Sequence, residues 1–173
     1  MWVYYLVTYI LGKSQLHPIY ILLGNIPTWR RNKQDAKQLL GYLPIIKTST
    51  KNKKVVRETF HKCLEILIDS IRTNSHSGTY VRINDKNIWV YPKISTIIAD
   101  WPEAATFCLT YKSTNSNHPC HFCLVNRDNL ANINIFKHDL VLRNYENMKN
   151  YFVKDDVNSV CIESIPNYFW FFK

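Results

Sequence analysis

KISTIIADWPE (Lys93–Glu103) places Ile94, Thr96, Ile97 and Ile98, all β-branched, in the seven residues before Asp100. Such a run reads as a strand that ends at Asp100. Trp101 then opens a helix over Trp101–Tyr111, with Pro102 in its first turn, where a missing N–H is tolerated. A carboxylate at the end of a strand is where α/β enzymes present metal ligands. The plainer role for Asp100 is to cap the helix that follows. One carboxylate cannot hold two Mg²⁺ ions. The remaining acids, Glu103, Asp128, Asp139, Glu146, Asp155, Asp156 and Glu163, show no spacing that identifies a partner for it.

Upstream of this stretch, Tyr80–Ile83 and Ile88–Tyr91 flank Asn84–Asn87 and read as a hairpin. Before the hairpin, Val56, Phe60, Cys63, Leu64, Leu67, Ile68 and Ile71 recur at helical spacing, which predicts a helix from Asn52 to about Thr73 with a stop at Ser75–Gly78. Pro18–Leu23 reads as a buried strand turned by Gly24-Asn25. Leu39–Ile46 is a further strand, although Pro44 has no N–H for a central ladder. Met1–Leu11 is apolar but has no basic leader region, no small-residue cleavage site and too few residues to span a bilayer. It reads as a buried first strand, with a membrane anchor as the competing reading. Alternating strands and helices make the fold α/β.

Downstream, Ser113–Pro119 is a polar loop leading to Cys120-His121-Phe122-Cys123, and periodicity is then poor until a short helix at Tyr145–Val153. The end, Tyr168-Phe169-Trp170-Phe171-Phe172, either docks into the core as a terminal strand or marks where a longer protein continued.

Composition bounds the function. The chain has 173 residues, 46% apolar and 14% aromatic, enough for one domain with a sizeable core and too apolar for wholesale disorder. Net charge is +9, and it is local. Residues 1–60 carry ten Lys and Arg against two acids, and the remainder twelve against eleven. Trp29 beside Arg30, Arg31 and Lys33, followed by Lys51, Lys53, Lys54 and Arg57, interleaves cations with an aromatic, as a DNA-binding face does. A nuclear import signal or a solvated surface has the same composition. No P-loop, G-x-S-x-G or dinucleotide fingerprint is present, so no small-molecule substrate is expected.

Five cysteines, an odd number, point to an intracellular protein rather than a disulfide framework. Cys120 and Cys123 can supply two thiolates to a structural Zn²⁺. The other ligands would come from Cys108, His118, His121, His138 or Cys161, or from residues beyond position 173. Free core cysteines and a redox pair are the alternatives.

Four blocks in order carry a resemblance. His17–Pro27 (HPIYILLGNIP) with Arg30-Arg31, then Leu40–Pro44 (LGYLP), then Ile98–Glu103 (IADWPE), then Cys120-x-x-Cys123-Leu124-Val125 resemble the Plavaka-type transposases of fungal DNA transposons. That group stands with the Kyakuja–Dileera–Zisupton and CACTA-like transposases, which look like ribonuclease-H-fold DDE enzymes. The match spans about residues 13–125, with a looser echo from Ile162 to Trp170.

The resemblance implies a partial ribonuclease-H-like mixed sheet over residues 1–111, in the order strand, strand, strand, helix, strand, helix. A C-x-x-C zinc-knuckle-like insertion and the C-terminal segment then occupy 112–173. It makes Asp100 the second metal-binding acid. The first should lie upstream of His17, yet no acid precedes Asp35. The third should lie beyond Trp170. The expectation is a transposase fragment, nuclear and inactive alone, with Mg²⁺ belonging to the ancestral enzyme and DNA binding retained on the basic face. A non-enzymatic zinc-stabilised interaction module is the alternative, and a chain left unstable by an unpaired sheet edge is a third. The oligomeric state is not fixed by the sequence.

Overall fold

The computed structural model describes residues 2–8, 16–46, 52–111 and 115–171. Among the described residues six strands and four α-helices follow in the order β1 (Trp2–Thr8), β2 (Leu16–Leu23), α1 (Thr28–Arg31), β3 (Lys37–Pro44), α2 (Lys53–Ser77), β4 (Thr79–Ile83), β5 (Lys86–Val90), β6 (Pro92–Ile98), α3 (Trp101–Cys108) and α4 (Tyr145–Val153). Short 3-10 turns punctuate the rest, among them Gln34–Ala36 and Tyr168–Phe171.

The chain divides into two compact units. The first holds residues 1–47 and 62–100, and the second 48–61 and 101–173. The expected boundary at 111/112 falls inside the second unit. The long helix α2 therefore gives its first turns to the second unit and its remainder to the first.

In the first unit a mixed sheet has the order β3-β2-β1-β6. β1 pairs antiparallel with β2, from Tyr4↔Leu23 to Thr8↔Ile19, and β2 pairs antiparallel with β3, from Leu16↔Pro44 to Leu22↔Lys37. β1 runs parallel to β6, from Trp2↔Pro92 to Val7↔Ile98. Pro44 is tolerated because it ends a strand at the sheet's edge, where one side of the backbone has no ladder to satisfy. The core is Leu6, Ile19 and Leu43 from the sheet with Leu64 and Ile68 from α2, all at most 1% exposed. Gly41 lets α2 approach β3: a Cβ there would stand 2.6 Å from Leu67 Cδ2.

α2 stops because Gly78 takes a left-handed backbone, φ +75°, which a Cβ would strain. β4 and β5 form the expected hairpin, and Asn84 and Asp85 at its tip both have positive φ, the pattern of a two-residue I′ turn.

In the second unit Thr110 bridges antiparallel to Ile162, and Met148, Val157, Val160, Ile162 and Trp170 form a buried cluster. The aromatic end does dock, but as the 3-10 turn Tyr168–Phe171 and not as a strand. Asn167 explains this local choice: its side chain donates to Phe107 O at 2.8 Å and accepts from Phe169 N at 2.9 Å, closing the backbone into a turn.

His61 lies in the second unit, on the first part of α2, 3% exposed and with Nε2 3.0 Å from Thr106 O. Burial pushes its pKa down to about 4 from an ordinary 6.5, so the ring is neutral and Nε2–H is the donor. The unfolded chain then takes up a proton that the folded chain refuses. Stability is fully present above about pH 6.5 and falls as pH drops toward 4, by a total of about 3 kcal/mol at 1.36 kcal/mol per pKa unit. Urea unfolding at pH 7 and pH 4.5 should show this loss, and His61→Leu should make the pH slope shallower than in the unsubstituted chain.

Candidate functional site

Three groups of residues carry chemical potential: Asp100, the basic residues and the cysteine loop. Asp100 stands two residues past the end of β6 and is exposed, at the end of the strand that runs parallel to β1. β1 itself, WVYYLVT, contributes no carboxylate. Among the described residues no group of three His, Cys, Asp or Glu side chains stands in an arrangement able to hold a metal.

The basic residues are not equivalent. In the first unit, α1 directs Arg30 into a two-armed hydrogen bond with Asp35, at 2.9 and 2.7 Å, and this bond holds the Asp35 carboxyl below its ordinary range. Arg31 donates to Gly24 O and Thr28 Oγ1 and sits 4.5 Å over the Tyr5 ring, a cation held on an aromatic face. Lys33 and Trp29 are exposed beside them. Lys53 and Lys54 are exposed at the start of α2, in the second unit. Lys51 lies outside the described residues.

Arg57 differs in kind. Its side chain is 12% exposed, 3.6 Å from Glu163 Oε1 and hydrogen-bonded to Ala105 O at 3.4 Å. It ties the first turns of α2 to α3 and the C-terminal segment within the second unit, which is a structural use of a cation that composition alone assigns to a DNA-binding face.

The cysteine loop is built by Arg143, a residue with no sequence signal of its own. Its Nε donates to Cys120 O at 2.9 Å, its Nη2 to His118 O at 3.1 Å, and its backbone N–H to Phe122 O at 2.8 Å. An isolated bridge pairs Cys123 with Leu142. Burial draws the guanidinium below its ordinary pKa, and the thiols of Cys161, Cys120, Cys108 and Cys123 nearby work in the opposite direction. Burial pushes the Cys123 and Cys108 thiols up, so neither is an activated nucleophile. That environment is the reverse of what a redox C-x-x-C needs.

Of the ligands expected to complete a zinc site, His121 is committed elsewhere. It is 5% exposed, with Nδ1 2.8 Å from Thr110 Oγ1, Nε2 3.2 Å from Trp101 O, and the Trp101 ring 4.1 Å away. Burial lowers its pKa, so the ring is neutral: Nε2–H donates to the carbonyl and Nδ1 accepts from the hydroxyl. His118 uses Nδ1 on Val125 O, and His138 is exposed, stacked on Phe136. Cys161 is buried, its Sγ 3.9 Å from Asn158 O. Among the described residues Cys120 and Cys123 are not joined by further ligands into a metal-binding group.

A family model described as Plavaka transposase matches residues 6–172. No curated protein and no solved structure matches the chain significantly.

Removing the Arg143 fork strands two backbone carbonyls in a half-buried loop. Arg143→Ala should lower the unfolding free energy by about 2–4 kcal/mol. Arg143→Lys should recover less than half of this, because one ammonium cannot reproduce a planar two-carbonyl fork. Urea denaturation of the three proteins measures both differences.

Proposed function

The chain belongs to the Plavaka transposase family, and from that premise we propose a transposon-derived, nuclear protein that binds DNA and does not by itself carry out strand transfer. The observation that carries the DNA reading is the arrangement around α1. Arg30, Arg31, Lys33 and Trp29 stand within five residues, and Arg31 is pre-positioned by Tyr5 and two oxygen acceptors. A cation already fixed in place loses little entropy on meeting a phosphate. The Arg30–Asp35 pair is exposed, 40% and 71%, so exchanging the carboxylate for a phosphate costs little. Lys53 and Lys54 add a second exposed basic segment, and Lys51 belongs with it by sequence. Arg57, 12% exposed and beside Glu163, is left out of the DNA-binding set on this reading.

The ribonuclease-H-like reading is supported by the strand order β3-β2-β1-β6, with one parallel pair and an acid two residues past β6. On that reading Asp100 is the second acid of the ancestral Mg²⁺ site. A two-metal displacement needs carboxylates that clamp both the attacking and the leaving oxygen. On this reading β1 would carry the first of them, and it has no carboxylate, which supports reading the chain as inactive by itself.

A second reading, the zinc-stabilised module, is favoured by one observation. Phe122 N–H donates to Cys120 Sγ at 3.3 Å, and Cys123 follows at the C-x-x-C spacing of a zinc-binding pair. Cys120 and Cys123 would hold the ion, which would supply structural cross-linking and no reaction step.

Affinity for a duplex, measured from 50 to 200 mM salt, should fall steeply. The slope should flatten by about 0.9 for each phosphate no longer neutralised when Arg30, Arg31 and Lys33, or Lys53 and Lys54, become Gln. Nicking or joining of DNA in Mg²⁺ or Mn²⁺ that disappears in Asp100→Ala would overturn the inactive reading. One zinc per chain, lost in Cys120→Ser and accompanied by no DNA affinity, would select the second reading instead.

A further inference from the structure

The hairpin β4–β5 is not used by the basic segments or by Asp100, and it sorts its residues by face. Successive strand residues alternate in direction, and the register pairs Tyr80 with Trp89 and Arg82 with Asn87. One face therefore presents Tyr80, Trp89 and Tyr91 together with Arg82 and Asn87. The other carries the aliphatic residues Val81, Ile83, Ile88 and Val90.

The three rings form a ladder. Tyr80 and Trp89 meet edge to face at 4.6 Å, and Trp89 and Tyr91 at 6.2 Å. They remain 66%, 47% and 42% exposed, so the ladder is not a core feature. Trp89 is nevertheless fixed: its indole lies so close to Gly78 that a Cβ there would stand 2.5 Å from it. Arg82 is tied to Asp85 at the hairpin tip, an ion pair with side chains 72% and 89% exposed and thus readily exchanged. Of the hairpin's two cations, Arg82 shares the face of the rings, and Lys86, paired with Ile83, lies on the other.

We infer that this face binds unpaired DNA bases, with Trp89 and Tyr80 stacking on them and Arg82 holding the backbone. Aromatic faces can stack only on bases whose own faces are open, which a duplex hides. Arg82, on the same face as the rings and with an exposed, exchangeable carboxylate partner, complements a phosphate backbone. The inference rests on the DNA-binding reading above and assigns it a second surface, specific for single strands.

The test uses the full chain with an oligothymidylate and with a duplex, each titrated by fluorescence anisotropy at several salt concentrations. Trp89→Ala should weaken single-strand binding about tenfold while leaving the salt slope and duplex affinity unchanged, because stacking releases no counterions. Arg82→Gln should instead flatten the single-strand slope. Tyr80→Ala, at a more exposed position, should also weaken single-strand binding, and it keeps the test valid if Trp89→Ala fails to fold. Duplex binding with single-strand affinity untouched by Trp89→Ala and Tyr80→Ala overturns the hairpin assignment and leaves the DNA-binding reading standing. No affinity for either DNA overturns both. Equal weakening for a matching RNA supports stacking but overturns the assignment to DNA.

Discussion

Parallel pairing of β1 with β6 is the constraint on which the first unit depends. Two parallel neighbours cannot be joined by a tight turn, so the chain between them must travel away and return. It does so by adding β2 and β3 antiparallel on one side of β1, then crossing back through α2. Leu64 and Ile68 on that helix join Leu6, Ile19 and Leu43 in the buried interior, so the crossover is also the source of the core. Because β6 points the same way as β1, Asp100 emerges at the C-terminal end of both strands. Its position follows from the topology and needs no local device.

Much of this was legible because periodicity reports burial. The apolar residues of α2 lie on one face of a helix, and Ile94, Thr96, Ile97 and Ile98 mark β6, so hydrophobic spacing locates both elements. The sequence also yields the hairpin and the Pro102 start of α3, and it leaves the aromatic end open between a docked strand and a point where a longer protein continued. Its errors fall where side-chain hydrogen bonds, and not burial, select the conformation. The turn at Tyr168–Phe171 is set by Asn167 bonding to Phe107 O, a link across sixty residues that no local pattern encodes. α1, four residues long, has no period to detect.

Charge was legible as a total and not as an arrangement. Arg57 sits among lysines in the sequence and is spent on Glu163 in the fold. Arg143 stands alone in an Asn-rich stretch, so counting cations passes over it. Yet it supports the loop that carries Cys120 and Cys123. The same applies to His121. A histidine between two cysteines invites assignment as a ligand, but Thr110 and Trp101 take both of its nitrogens.

These commitments divide the reactive residue types between the two units. In the second, His61, His121, Arg57 and Arg143 each satisfy a backbone carbonyl or an acid, and burial raises the thiols of Cys108 and Cys123. Groups held in this way are costly to redirect, because leaving a buried carbonyl or carboxylate without its donor forfeits the full desolvation penalty. In the first unit, Arg30 and Arg82 have exposed carboxylate partners that a phosphate can replace with little loss. Trp29, Tyr80 and Trp89 keep much of their surface open to solvent. Exchangeable partners therefore mark the first unit and closed bonds much of the second, where Lys53 and Lys54 at the head of α2 and the exposed Arg127–Asp128 pair are exceptions. The proposed recognition surfaces lie mainly on the first unit for this reason, and the polar network of the second keeps its own segments together.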